Sequence, residues 1–312
     1  MTSATGPAAP QPAGVLFQRV PVAAHDERVF VAKLVVVSVL ALVGAHLALR
    51  HNWPSTLAGV LLLGAVYTHA VELQHQCLHH SAFRRPGVHR PVGILLGLPM
   101  LVSHSHYQVR HLQHHRWLGT PRDSEFFGFD TRQPITFRSL LRGLLDFPRL
   151  STVLVDIVRC YRGTWSYGTG QIGPRQRRRI IAEYRAMGVV IVAVAVAMAM
   201  FGGGWPVARL WLLPLLVAVP AHFLVELPEH VLCDTDSTDV LRNTRSIRGS
   251  RLSTWFTNSN NLHIEHHAAM MVPPNQLPGR HEETRRLAVH VERSYPDFFR
   301  LVLREARAGR RG

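Results

Sequence analysis

Three tight groups of histidines are the residues of this chain best suited to chemistry. They are HQCLHH (75–80), HLQHH (111–115) and HIEHH (263–267). Residues three or four apart share one face of a helix, so His75 lies with His79, and His111 with His114 and His115. If the third group is helical, His263, His266 and His267 also share a face. A lone histidine pair at this spacing is usually an ordinary surface or core pair; three groups brought to one place are not. Imidazole suits Zn, Cu, Fe and Ni. Structural zinc sites take four ligands and often use cysteine, so eight clustered histidines exceed one such site and suit two metals with open positions. Neither H-E-x-x-H nor H-x-x-E-H occurs, because Glu265 stands between His263 and His266 at another spacing. That excludes the usual helix of a zinc protease. The pattern points to a redox-active, oxygen-binding pair of irons.

Ligands so far apart in sequence need elements that bring them to one height. Apolar runs such as LVVVSVLALVGAHLAL (34–49) and VVIVAVAVAMAMF (189–201) approach the length a bilayer requires. Four spanning helices are expected, at about 30–49, 55–74, 186–202 and 205–226, arranged in two hairpins. The connections HNWPS (51–55) and GGGW (202–205) contain no Lys or Arg, whereas residues 75–180 carry 16 Arg and residues 227–312 carry 13. The excess of positive charge places the amino terminus, the middle insert and the carboxyl tail in the cytoplasm. All three histidine groups then fall on that side, and the expected fold is an all-α integral membrane protein with a cytoplasmic helical cap over the metals. PVGILLGLPMLVS (91–103) is too short to span and is read as a re-entrant or interfacial helix. The basic stretch GQIGPRQRRRIIAEYR (170–185) reads either as a lead-in along anionic headgroups or as a solvated face.

Composition narrows the alternatives. The chain has 312 residues, is 47% hydrophobic and carries a net charge of +15. Every basic residue except Lys33 is Arg, a bias of GC-rich bacterial genomes, and an inner-membrane location follows. A basic total is compatible with nucleic acid, but here the Arg residues flank apolar spans, so no nucleic-acid partner is expected. Cys77, Cys160 and Cys233 form no C-x-x-C and no disulfide framework. Residues 1–29, rich in Pro and Ala, have no signal-peptide pattern and are expected to be a disordered cytoplasmic tail. Residues 30–285 form the membrane domain, and 286–312 a basic C-terminal tail.

The surroundings of the histidines sharpen the picture. HQCLHHSAF (75–83), YQVRHLQHHRWLGTPRDSE (107–125) and NNLHIEHH (260–267), the last followed by LPGRH (277–281), resemble the three boxes of the membrane fatty-acid desaturase and hydroxylase family. The resemblance runs from about residue 55 to 285. It implies that His75, His79, His111, His114, His115, His263, His266 and His267 hold two irons. In relatives such as the stearoyl-CoA desaturases a further histidine precedes the third box, and by position this is His230. Carboxylates expected to orient the rings are Glu72, Asp123, Glu125, Glu229 and Glu265. His80, His104 and His106 lie near the boxes but off the matched positions, and His222 sits deeper in the last span. The chain departs from the family pattern at Gln76, where an acidic residue is usual, and in AAMMVPP (268–274), where relatives commonly read Leu-Phe-Pro.

The resemblance implies O2-dependent chemistry on an unactivated C–H bond, driven by two external electrons. Loss of two hydrogens makes the chain a fatty acyl desaturase; retention of hydroxyl makes it a hydroxylase or ketolase on another lipid-like substrate. The electron donor is expected to be a separate acidic ferredoxin or similar protein drawn to the Arg-rich face. The substrate is a lipid, an acyl-CoA or an acyl group on carrier protein. A metal transporter or sensor is disfavoured, because it needs its ligands inside the spans.

Overall fold

The computed structural model describes residues 14–123, 130, 132–200 and 203–309. A 3-10 turn (Val15–Phe17) precedes α1 (Ala24–Ala48) and α2 (Trp53–Leu78). Next come α3 (Pro86–Gly97), α4 (His104–Trp117), α5 (Phe137–Leu144), α6 (Pro148–Arg162) and α7 (Pro174–Met200). The segment Trp205–Glu226 runs as α8 (Trp205–Val207), a π-helical stretch (Ala208–Leu212) and α9 (Leu213–Glu226). Beyond it lie α10 (Val240–Asn243), β1 (Arg245–Ile247), α11 (Arg251–Phe256), α12 (His263–Ala268), α13 (His281–Leu287), β2 (His290–Glu292) and α14 (Tyr295–Ala308).

Among the described residues, four helical segments are long and apolar enough to cross a membrane: α1, α2, α7 and α8–α9. Each expected span is found, the fourth at its expected bounds and the other three with shifted ends. α1 begins at Ala24, α2 continues to Leu78 and so carries His75 within it, and α7 begins at Pro174. The basic stretch before the third span is therefore the first turns of α7, with Arg175, Arg177 and Arg178 exposed and Arg179 half-buried.

Helix α2 is central and packs against α1, α3 and α9. At Gly59 the backbones touch: a Cβ there would lie 2.2 Å from the Ala48 amide nitrogen. Small residues permit such close approach between membrane helices. α7 packs chiefly on α6 and α4, and α9 chiefly on α2. α3 is 12 residues long, or about 18 Å, too short to cross. It ends in a 3-10 turn that Leu101 closes with φ +56°.

Residues 14–29 and 286–309 are more ordered than their composition implies. Residues 1–13 of the expected disordered tail lie outside the described residues, but Leu16 is fully buried. Its amide donates to Glu283 Oε2 at 2.9 Å, and Arg280 donates to the carbonyls of Val15 (2.6 Å) and Leu16 (2.8 Å). The expected basic tail forms β2 and α14. Phe298, Val302 and Ala306, spaced four apart, bury one face of α14 against Phe223, Leu227, Val231 and Ile247. The Arg residues on its other face made this segment read as a tail.

Candidate metal centre

The histidines are presented by three short, well-anchored pieces of helix. His75 lies in the last turn of α2 and His79 caps it; His80, at φ +57°, then turns the chain away. Gln76, at the departure from the family pattern, donates to the Ser81 carbonyl (3.0 Å) and accepts from Asn258 Nδ2 (2.9 Å). An amide can do both, and a carboxylate cannot donate.

Helix α4 starts at an anion. The buried carboxylate of Glu183, from α7, accepts from Ser103 Oγ (2.8 Å), the Ser105 amide (2.8 Å), Ser105 Oγ (2.5 Å) and Arg90 Nε (2.9 Å). Negative charge is favourable at a helix N-terminus, and this one fixes the rotation that aims His111, His114 and His115. Helix α12 is only six residues long and is held from below. Ser246 Oγ accepts from the Ile264 amide (2.9 Å) and donates to Glu265 Oε2 (2.5 Å), while Glu265 Oε1 pairs with His281 Nδ1 (2.6 Å). His230 sits in the turn after α9. Buried Arg245 organises that turn by donating to the carbonyls of Pro228, Val231 and Leu232.

The nine rings converge as two adjoining groups. One comprises His75, His79, His111, His115 and His266, the other His114, His230, His263 and His267, with the candidate ligand atoms of each group within 4.8 Å of one another. In the first, Nε2 atoms meet at 2.7 Å (His75–His111), 3.3 Å (His75–His79), 2.9 Å (His111–His115) and 3.0 Å (His115–His266). In the second they meet at 3.0 Å (His114–His230), 3.2 Å (His230–His263) and 3.1 Å (His263–His267). His115 and His267 stack across the boundary, centroids 4.0 Å apart.

The outer nitrogens decide what these contacts are. His114 Nδ1 faces both oxygens of Asp123 at 3.1 Å, and His230 Nδ1 faces the Asn243 carbonyl at 3.1 Å. His263 Nδ1 faces Asn260 Oδ1 at 3.0 Å, an orientation fixed because Asn260 Nδ2 donates to Glu229 Oε1 at 2.6 Å. All three partners are acceptors, so each Nδ1 carries the proton and each Nε2 is a bare lone pair. Three lone pairs facing one another at 3.0–3.2 Å cannot hydrogen-bond and repel unless a cation lies between them. Two nitrogens bound about 2.1 Å from one metal are about 3.0 Å apart at a right angle and about 3.4 Å apart in a tetrahedron. The spacings fit metal ligation.

Burial also keeps five of these rings neutral. Desolvation, with neighbouring imidazoles adding to it, holds His79, His115, His263, His266 and His267 well below the usual imidazole range. Metal ligands must be deprotonated, and these rings are so at neutral pH without a metal's help.

Residues 51–299, well over half the chain, match the fatty acid desaturase family. The chain belongs to that family. Membership makes it an oxidoreductase of the desaturase superfamily, and with four helices able to cross a bilayer it is a membrane protein. No curated protein matches this desaturase-family chain.

The structure sorts the other candidates of this desaturase-family site. Asp123 does meet a ring nitrogen. Glu229 lies on the inner side instead, Oε2 being 3.3 Å from His263 Nε2. Glu265 touches Ser246 and His281 rather than any of the nine rings, so it anchors α12. Glu72 is buried, its Oε2 without a hydrogen-bond partner among the described residues. Glu125 lies outside the described residues. His80, against His89, and His106, bonded to Tyr184, fall outside both groups. So do His104, packed on Gly93, and His222, paired with Glu226 at 3.1 Å. Sequence reasoning missed Asn260 and Asn243, the acceptors behind His263 and His230. The adjacent Asn260 was visible in the box; a backbone carbonyl leaves no signal.

Beside the first group, the Tyr107 ring contacts those of His75 and His111 (centroids 6.3 and 5.5 Å apart) and lines a cavity of about 240 Å³. Its walls are apolar at Val71, Met100, Val219 and Phe223, and polar at Arg110, Asp146, Arg149, Asp156, His222 and Glu226.

Proposed function

We propose that the chain is a non-haem di-iron oxidoreductase that uses O2 and external electrons to desaturate a fatty acyl chain. His75, His79, His111, His115 and His266 would hold one iron, and His114, His230, His263 and His267 the other. The observation that carries this reading is the set of bare Nε2 lone pairs, fixed from behind by Asp123, Asn243 and Asn260, that face one another. Two irons so held supply the oxidising power needed to break an unactivated C–H bond. The chain's own residues supply fixed donors, the Glu229 carboxylate beside the second group, and a partly apolar cavity next to the first.

The Arg-rich face is read as cytoplasmic, in a bacterial inner membrane, and open to a small acidic ferredoxin or similar donor. The substrate would enter as a lipid, an acyl-CoA or an acyl carrier protein thioester. The test is metal analysis and lipid mass spectrometry on cells expressing the wild type or His266→Ala with a reductase partner. Two irons per chain and a product two hydrogens lighter, both lost in the variant, are expected. A product 16 mass units heavier would make it a hydroxylase. Fewer than one iron with product unchanged in the variant would end the reading.

A further inference from the structure

Helix α6 stands between the cavity beside Tyr107 and the outside of the protein. Arg149, Thr152, Val153 and Asp156, at i, i+3, i+4 and i+7, share the face that lines the cavity. Leu154, Val155 and Val158 are offset from that row by two positions, about 200° round a helix of 3.6 residues per turn. They are 48%, 46% and 47% exposed. The two ends of α6 say what covers this apolar stripe. At its start, Phe147 and Leu150 pack against a cluster that contains Leu215, Ala218 and Val219 of the fourth span. At its end, the third span holds it. Arg185 donates to the Cys160 carbonyl at 3.1 and 2.9 Å, and the Tyr161 hydroxyl donates to the Arg185 carbonyl at 2.7 Å. A Cβ on Gly188 would lie 2.8 Å from Tyr161 and 2.9 Å from Ile157. Arg185 is the last charged residue before the apolar run 186–201, on which Val189 and Val192 are exposed. Helix α6 therefore runs from one span to another at an apolar level of both, and its stripe continues the apolar surface of α7. Exposed Arg159 and Arg162 border the stripe, as suits a helix lying among anionic headgroups.

We propose that α6 lies in the plane of the bilayer, its stripe of Leu154, Val155 and Val158 among the acyl chains, and that the cavity behind it takes its substrate from that leaflet. The substrate is then a membrane-resident lipid, not a thioester on a soluble carrier. This rests on the oxidoreductase reading above and deepens it. One helix, about 10 Å across, is all that separates the cavity from the lipid. Thr152 is exposed and also on the cavity wall, so the wall opens along the edge of α6. A lipid chain that enters there passes Tyr107 on its way to the first histidine group.

Two measurements on the full-length protein in phosphatidylglycerol nanodiscs test this. Spin labels on Leu154→Cys and Val158→Cys report depth by collision with oxygen or with a water-soluble nickel chelate; the three native cysteines are buried. Both labels should favour oxygen as strongly as one on Val192→Cys in the third span, and several-fold more than one on Leu303→Cys in α14. Chelate access at 154 and 158 equal to that at 303 would overturn the in-plane helix. Photolabelling then identifies the source of the substrate. Phosphatidylglycerol carrying a diazirine on its acyl chain is built into the disc; the same chain on coenzyme A or on carrier protein is added from solution. The phospholipid should label Val153 and Val219, buried on the cavity wall, several-fold more than either thioester. Labelling of these two by a thioester alone, or by no probe, would overturn entry from the bilayer. Iron content and product formation are measured separately, so protein that passes both tests but holds no iron would refute the oxidoreductase reading alone.

Discussion

The two histidine groups are built differently. In the four-histidine group, the rings of His114, His230 and His263 are pinned from behind by a carboxylate, a backbone carbonyl and a side-chain amide. In the five-histidine group, His79 Nδ1 is buried with no hydrogen-bond partner among the described residues; helix packing aims that ring instead. His75 and His79 ride on the last turn of α2, the most enclosed of the four long apolar helices described, and need less help. His230 sits in a turn and His263 opens a six-residue helix, where no long element fixes the ring. Two of the three acceptors stand behind rings that helix geometry controls least, His230 and His263, and the third, Asp123, backs His114 on α4, as expected of groups that orient metal-binding imidazoles.

Removing one ring from either group is the severest way to break this comparison. His79→Ala and His263→Ala should each leave about one iron per chain and cut turnover by ~100-fold or more, a barrier rise of about 2.7 kcal/mol; metal analysis with single-turnover assays checks both. Asp123→Asn probes the pinning alone. It should weaken metal at the four-histidine group by about 10–100-fold and leave the other group unchanged, as read by chelator competition. Equal loss from both groups would erase the distinction.

Acid treats the groups alike. The folded metal-free protein holds these imidazoles below their ordinary value of 6.5, so the unfolded chain binds more protons as pH falls below that value. Stability is full above about pH 6.5 and declines beneath it. The Tm of chelator-stripped protein should be lower at pH 5.5 than at pH 7.5, and metal should protect against the drop. Glu265→Gln is the mildest test. It weakens the anchor under α12 by about 1 kcal/mol, visible as a small fall in Tm with both metals retained.

Much of this was readable without coordinates, because its signal is local. Four apolar runs set four long helices, and i, i+3 and i+4 spacing put His111, His114 and His115 on one face whatever lies around them. The ends of the chain were harder. Phe298, Val302 and Ala306 repeat at helical spacing, but between Arg residues the repeat acquires meaning only once Phe223 and Ile247 offer a surface to bury it.

The sequence by itself determined which residues can act on a metal, since imidazole chemistry and short-range helix geometry travel with the residues. Only the tertiary structure decided how nine rings divide into five and four, and which tautomer His114, His230 and His263 adopt. The division depends on contacts between segments more than a hundred residues apart, such as α4 with the turn after α9, while the tautomers depend on nearer partners, Asp123, Asn243 and Asn260, whose approach to each ring only the folded backbone sets.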